Sequence, residues 1–187
     1  VAANLAGDFD PQVKPEKAGG DPGRRGAVLR LSGDGRRILS LQRIADEVKD
    51  LALDGKDNIY VAAGKMGAIR LSPQADRVLW TKDLGDSCDR IDAAADGHAV
   101  ALVAGKQVVI LDPAGKQLAA VTGKAFTTDA CIDGASKTVA YTGFRNARAY
   151  DGKRNEPVQI AYVKAVGYDG REKWTDYDWS TEQTSER

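Results

Sequence analysis

The chain is short of the residues that most often carry enzyme chemistry and metal binding. Its 187 residues include one histidine, His98, two cysteines and few aromatic residues. No CxxC pair or histidine cluster is present, so the common structural zinc patterns are excluded and we expect no metal and no cofactor. A serine or cysteine nucleophile would lack an obvious partner base, and no glycine-rich phosphate loop is found.

Two further absences concern charge and membranes. Lysine plus arginine equals aspartate plus glutamate, at 27 each, so the net charge gives no reason to bind nucleic acid or an anionic membrane. No apolar run approaches the roughly 20 residues that span a bilayer. We therefore expect neither a nucleic-acid partner nor a membrane span.

What the sequence does contain is a repeat of roughly forty residues. One unit, read as strand, polar turn and strand, appears four times, as GAVLRLSGDGRRILSLQ, GAIRLSPQADRVLWTKD, QVVILDPAGKQLAAVT and YVKAVGYDGREKWTDYD. A second unit lies between these copies, as VKDLALDGKDNIYVAAG, DRIDAAADGHAVALVAG and TTDACIDGASKTVAYTG. Four short strands in each repeat predict an all-β fold built of β-propeller blades.

The order of the units predicts an incomplete ring. Complete four-stranded blades are expected at 48–84, 88–121 and 126–175, after an outer hairpin at 26–43, which makes about three and a half blades within 26–179. Residues 1–25 are expected to form an extended arm and 180–187 a tail. Because the first hairpin lacks an inner pair, we expect missing blades from the same protein, a second chain or a homo-oligomer to cover it.

Several side chains can be assigned roles from their place in the repeat. Trp80 and Trp174 fall at equivalent positions and are expected to pack between blades. The turn aspartates are expected to hold hairpin turns, with calcium binding as the alternative. Cys88 and Cys131 are either a candidate disulfide or two small buried residues. The segment RNARAYDGKRNEP is expected to be an inserted basic loop on one face.

The segments DGKDNIYVAAG, VVILDPAGK, KTVAYTGF and AVGYDGREKW resemble secreted bacterial β-propeller repeats, the group of pyrroloquinoline-quinone-like, NHL-like and beta-propeller repeat domains. The resemblance implies an extracellular, cell-surface or periplasmic location. It also implies ligand binding at the face formed by the loops leading into the innermost strands and by those joining inner to outer strands. On this chain, the candidate ligand-binding residues are Asp89, Arg90, Asp129, Arg145, Asn146 and Arg148.

Two functions remain open from the sequence. The first is a non-catalytic binding or scaffold module of an exported propeller, which engages a ligand or partner on that face. The alternative is part of a propeller enzyme, such as a quinone-dependent dehydrogenase, a hydrolase or a lyase, whose site is completed by missing blades.

Overall fold

The computed structural model describes residues 2–4, 15–123, 126–150 and 155–177, and all its regular elements are β-strands. The strands of the first sheet are β1 Ala2–Asn4, β2 Lys17–Gly20, β3 Gly26–Leu31 and β4 Ile38–Ala45. Those of the second are β5 Asp50–Leu53, β6 Ile59–Ala62, β7 Ala68–Leu71 and β8 Val78–Lys82. The third sheet contains β9 Cys88–Ala93, β10 Val100–Ala104, β11 Gln107–Leu111 and β12 Gln117–Thr122. The fourth contains β13 Phe126–Asp133, β14 Thr138–Tyr150, β15 Asn155–Gly167 and β16 Glu172–Tyr177.

The second, third and fourth sheets are four-stranded antiparallel meanders in chain order. They fall at the three complete blades that the repeat predicts, so that prediction is confirmed. In the described residues no helix is long and apolar enough to cross a membrane.

The first sheet is more complete than the sequence predicts. Its strand order is β1-β3-β4-β2, so the hairpin expected at 26–43 gains a strand on each side. The strand β1 pairs antiparallel with β3, and β2 pairs parallel with β4, with Ala18 opposite Leu41. Part of the segment expected as an extended arm therefore pairs with the hairpin and supplies hydrogen-bond partners to the backbone groups along both of its edges. The expected tail, 180–187, lies outside the described residues.

The core consists of three apolar interfaces, one between each pair of neighbouring sheets. Along β6, Ile59 and Val61 face the first sheet, whereas Tyr60 and Ala62 face the third. Along β10, Val100 and Leu102 face the second sheet, whereas Ala101 and Val103 face the fourth. Successive side chains of a strand point to opposite faces, so the middle strands bury both faces and read as continuous apolar runs.

Two aspartate carboxylates join the inner strands of neighbouring sheets. The Asp50 Oδ2 atom accepts a hydrogen bond of 3.1 Å from the Ile91 backbone N–H in the next sheet. In the same way, Asp92 Oδ2 accepts a bond of 2.9 Å from the Ile132 N–H. In both residues Oδ1 accepts from the backbone N–H of the following residue, at 2.9 Å. A charged acceptor at each step therefore fixes one inner strand against the next.

A polar contact also joins the outer parts of the second and third sheets. The Trp80 indole N–H donates to the Pro113 carbonyl at 3.0 Å, and Arg70 Nη1 donates to the same oxygen at 2.6 Å. Arg70 also lies 5.6 Å from the centre of the Tyr60 ring. Trp80 thus packs between blades, as the sequence predicts. Trp174, at the equivalent place in the fourth sheet, is 50% exposed because no described sheet lies against it.

The turn aspartates act within their turns, which confirms the turn role. Asp54 is buried, and its carboxylate accepts bonds from the Lys56 and Asn58 backbone N–H groups, the Asn58 amide and the Tyr60 hydroxyl. Asp133 accepts from the Ala135 and Ser136 N–H groups and the Ser136 hydroxyl, but in solvent. The hydrogen bonds of the buried Asp54 therefore contribute more to the free energy of unfolding than those of the exposed Asp133.

We expect Asp54→Ala to lower the free energy of unfolding by about 2 kcal/mol, since the buried Tyr60 hydroxyl and Asn58 amide lose their acceptor. Asp133→Ala is the matched control and should cause a clearly smaller loss. Urea denaturation followed by far-UV circular dichroism measures both. Equal losses would show that burial of Asp54 adds nothing.

The Asp54 contribution should also depend on pH. Burial disfavours its ionised form, but the hydrogen bonds from Asn58, Lys56 and Tyr60 outweigh burial, so the pKa of Asp54 lies below its ordinary value of 3.8. A depressed pKa stabilises the fold above the unfolded-state value, and the contribution disappears as pH falls through the folded-state value. The stability difference between wild type and Asp54→Asn should therefore be constant from about pH 7 to 5 and shrink below about pH 4. A difference that grows on acidification would contradict this assignment.

Candidate functional site

The loops that lead into the first strand of each sheet and the turns between its two middle strands lie on one face of the stacked sheets. We call it the loop face. It contains the loops 46–49 and 83–87, which lead into β5 and β9, and the turns 63–67 and 105–106. The hairpin of β14 and β15 rises on the same side, because alternate connections of an antiparallel meander lie at the same edge.

The segment expected as an inserted loop is a β-ribbon in the described residues. β14 and β15 are 13 residues each and stay in register from Thr138 opposite Gly167 to Tyr150 opposite Asn155. β13 pairs with β14 only as far as Phe144. Beyond Phe144, these two strands pair with no other described strand, and they project from the sheet. The sequence between the two strands contains the Asp-Gly pair 151–152, a common hairpin signal that could have indicated the ribbon, and these two residues lie outside the described ones.

The base of the ribbon combines aromatic rings and a lysine. The Phe126 and Phe144 rings stack with their centres 5.0 Å apart, and Lys106 Nζ lies 5.9 Å from the centre of the Phe126 ring. Phe126 is nevertheless 47% exposed. Gly143 allows Phe126 and the Tyr162 ring to pack closely against β14, because a Cβ at this position would collide with the Phe126 carbonyl and the Tyr162 ring. The result is an exposed aromatic platform beside a positive charge.

A cleft of about 360 Å³ lies elsewhere on the loop face, between the second and third sheets. Its lining includes Lys65, Asp83, Asp86 and Ser87. The Ser87 hydroxyl donates to Asp89 Oδ1 at 2.9 Å, and the Asp86 carboxylate accepts from the Ser87 N–H at 2.7 Å. These bonds fix the loop that leads into β9, and Asp83 and Asp86 supply carboxylates to the cleft.

Charges near the start of β5 and β9 interact across the loop face. Lys49 Nζ lies 2.6 Å from Glu47 Oε1. The hydrogen bond with Glu47 raises the pKa of Lys49, and the negative charge of Asp89 adds to the effect. Lys49 therefore stays protonated and acts as a fixed positive charge beside two carboxylates.

The six predicted ligand-binding residues are distributed over three strands. Asp89 and Arg90 lie on β9, and Arg90 is exposed. Arg145, Asn146 and Arg148 lie on the projecting part of β14, with Asn146 and Arg148 exposed. Asp129 lies on β13 and is exposed on the outer face of the fourth sheet.

The two cysteines are free in the structure, so the candidate disulfide is not formed. Cys88 is buried in the interface between the second and third sheets. Cys131 is exposed and lines a groove on the outer face of the fourth sheet with Ala140 and Val163. Because one thiol faces the second sheet and the other faces away from the third, their side chains cannot meet.

Sequence reasoning missed the inter-sheet aspartates, although a signal for them was present. Asp50, Asp92 and Asp129 each stand four residues before a turn Asp-Gly pair, as DLALDG, DAAADG and DACIDG. Such a spacing on a strand indicates a position facing the neighbouring sheet, not the turn. In the described residues, no group of three or more His, Cys, Asp or Glu side chains could hold a metal ion.

No protein-family model and no curated protein matches the sequence. Solved structures do match. Hydrazine synthase of Kuenenia stuttgartiensis superposes with a TM-score of 0.63 at 12% identity, over 81% of this chain and 43% of that one. The WD40 domain of Pan2 from Neurospora crassa gives 0.59 at 14% identity, over 80% and 46%. BamB from Moraxella catarrhalis gives 0.57 at 15% identity, over 75% and 41%.

The chain spans less than half the length of each of these three structures. Identities this low establish the fold alone. The structural matches, together with the four stacked sheets, identify the chain as part of a β-propeller whose ring is not closed by the described sheets.

The burial of the two thiols predicts their reactivity. Desolvation, together with nearby Asp89 and Asp50, raises the pKa of Cys88 to about 12, so its reactive thiolate is scarce at neutral pH. N-ethylmaleimide should therefore modify the native chain once, at Cys131, and twice after denaturation, as measured by intact mass. Cys131→Ser is the control and should leave the native chain unmodified. Rapid double modification of the native chain would contradict the packing of Cys88.

Proposed function

We propose that the chain is a non-catalytic binding or scaffold module of an exported β-propeller protein, which engages a partner on the loop face. Further blades from outside residues 1–187 complete the ring. The loop face is the natural contact surface because loops held by a rigid scaffold carry most binding functions.

The observation that carries this proposal is the β14–β15 ribbon. The middle strands of the second and third sheets are four or five residues long, whereas β14 and β15 have 13. About six residues beyond the sheet correspond to a projection of roughly 20 Å. A two-stranded ribbon that no third described strand joins is costly to keep ordered in solvent, which favours a role in contacting another molecule.

The residues along and beside the ribbon suggest the chemistry of the partner. Arg145, Asn146 and Arg148 lie on the projecting strand, and Lys106 lies near its base with the exposed Phe126 ring. Arginine and aromatic side chains are enriched at protein interfaces. We therefore infer that the partner is a protein surface with acidic groups around an apolar centre.

An affinity experiment with matched arginine variants tests the proposal. Wild type, Arg148→Glu and Arg171→Glu are immobilised and exposed to the extracellular or periplasmic fraction of the source organism, and retained proteins are identified by mass spectrometry. Arg171 is an exposed arginine in the turn between β15 and β16, at the opposite end of the sheet.

A partner of the loop face should be retained by wild type and Arg171→Glu and be lost, by at least about tenfold, with Arg148→Glu. Retention should also weaken with salt, since exposed charges are screened. If the two variants retain the same proteins as wild type in equal amounts, the ribbon is not the binding element.

A further inference from the structure

The outer face of the fourth sheet repeats the contacts that the second sheet makes with the third. Asp129 corresponds to Asp50 in the DxxxDG spacing, and its Oδ1 accepts from the next backbone N–H at 2.9 Å, as Asp50 Oδ1 does. In Asp50, and likewise in Asp92, Oδ2 binds a backbone N–H of the following sheet. Within the described part of the chain, Oδ2 of Asp129 has no such partner.

The outer part of the same face repeats a second contact. Trp80 lies opposite Arg70 in the β7–β8 pair, and Trp174 lies opposite Ala165 in the β15–β16 pair, each next to a register shift. Trp80 donates its indole N–H to the carbonyl of a turn residue, Pro113, in the following sheet. Trp174 is half exposed, and no described sheet covers the outer face on which it lies.

Between these two polar groups the face is apolar. A groove of about 160 Å³ is lined by Cys131, Ala140, Thr142 and Val163, among others. Val163 is 38% exposed. An acceptor at the inner strand, a donor at the outer strand and apolar side chains between them are the features that the second sheet presents to the third.

We propose that this face, defined by Asp129, Cys131, Ala140, Val163 and Trp174, is a docking surface for a complete four-stranded propeller blade. The inference rests on the proposed completion of the ring. Asp129 Oδ2 accepts a backbone N–H from the innermost strand of the incoming blade. The Trp174 indole N–H donates to a carbonyl in the turn of its outer hairpin.

The occupant is supplied by polypeptide outside residues 1–187 and is not the first sheet of a second copy. That sheet contains the outer hairpin β3–β4 and the short strand β1 beside it, and among the described residues its order β1-β3-β4-β2 includes no further inner strand. As described, it offers a turn carbonyl to Trp174 but no innermost strand to Asp129. A blade with all four strands satisfies both groups.

A tandem chain tests the docking with a blade of known sequence. The full chain is extended after Arg187 by a second copy of residues 83–177, which contains the complete third and fourth sheets, with Cys131→Ser in the copy. Alkylation of the remaining Cys131 by N-ethylmaleimide then reports whether the face is covered, since this thiol lines the groove.

Cys131 should react at least about tenfold more slowly in the tandem than in the single chain. Asp129→Ala and Trp174→Ala should each restore most of the reactivity, whereas Arg171→Ala, on an exposed turn of the same sheet, should not. In the single chain, Asp129→Ala should leave the urea midpoint unchanged, while Asp50→Ala lowers it.

Three results would overturn the inference. The first is a tandem in which Cys131 reacts as fast as in the single chain, whether the added copy is folded or is digested by protease. The second is protection that neither variant removes. The third is a single chain that dimerises with Cys131 protected, with Trp174→Ala but not Asp129→Ala abolishing the dimer, which would identify a second copy as the occupant. None of these results bears on partner binding by the ribbon, which Arg148→Glu tests separately.

Discussion

The structure depends on the second and third sheets being covered on both faces by neighbouring sheets. The middle strands are too apolar for either face to be left in water, as Val61 and Leu102 illustrate, since each faces one neighbour while the adjacent residue faces the other. A four-stranded sheet of short strands has little stability alone, so burial between neighbours supplies most of it. The hydrogen bonds of Asp50 and Asp92 then select how two apolar faces are aligned.

Much of the fold could be predicted from the sequence because the features of the repeat depend on residues that are close together in the sequence. The Asp-Gly turns, such as that at Asp54, and the alternation along each strand depend only on neighbouring residues. Trp80 was assigned correctly because a large ring in a repeat position must be buried by the next repeat. The packing of Trp174 between blades stays a prediction, because burial there requires a sheet that the described residues do not contain.

The parts that sequence reasoning missed depend on long-range pairing. The strand β2 is a glycine-rich KAGG segment with no apolar alternation, and it forms only because the edge of β4 is available to pair with it. The ribbon was predicted as a loop because its charged residues interrupt the alternation of apolar and polar side chains that is typical of a strand. Its register is nevertheless continuous with that of the sheet. The candidate site changed accordingly, from a set of loops to a paired ribbon that projects from the sheet.

The distribution of residue sizes within each interface has a geometric consequence. In the interface between the second and third sheets, Ala52 and Ala93 lie on the innermost strands beside Ile91, whereas Trp80 lies on the outermost strand. Small side chains on the inner strands and a large ring on the outermost strand favour a wedge-shaped interface. The taper of that wedge sets the angle through which each sheet is rotated from the last, and a full turn divided by this angle gives the number of sheets that can form a circle. The size of the finished ring is thus determined locally, by the choice of alanine or tryptophan at a few facing positions.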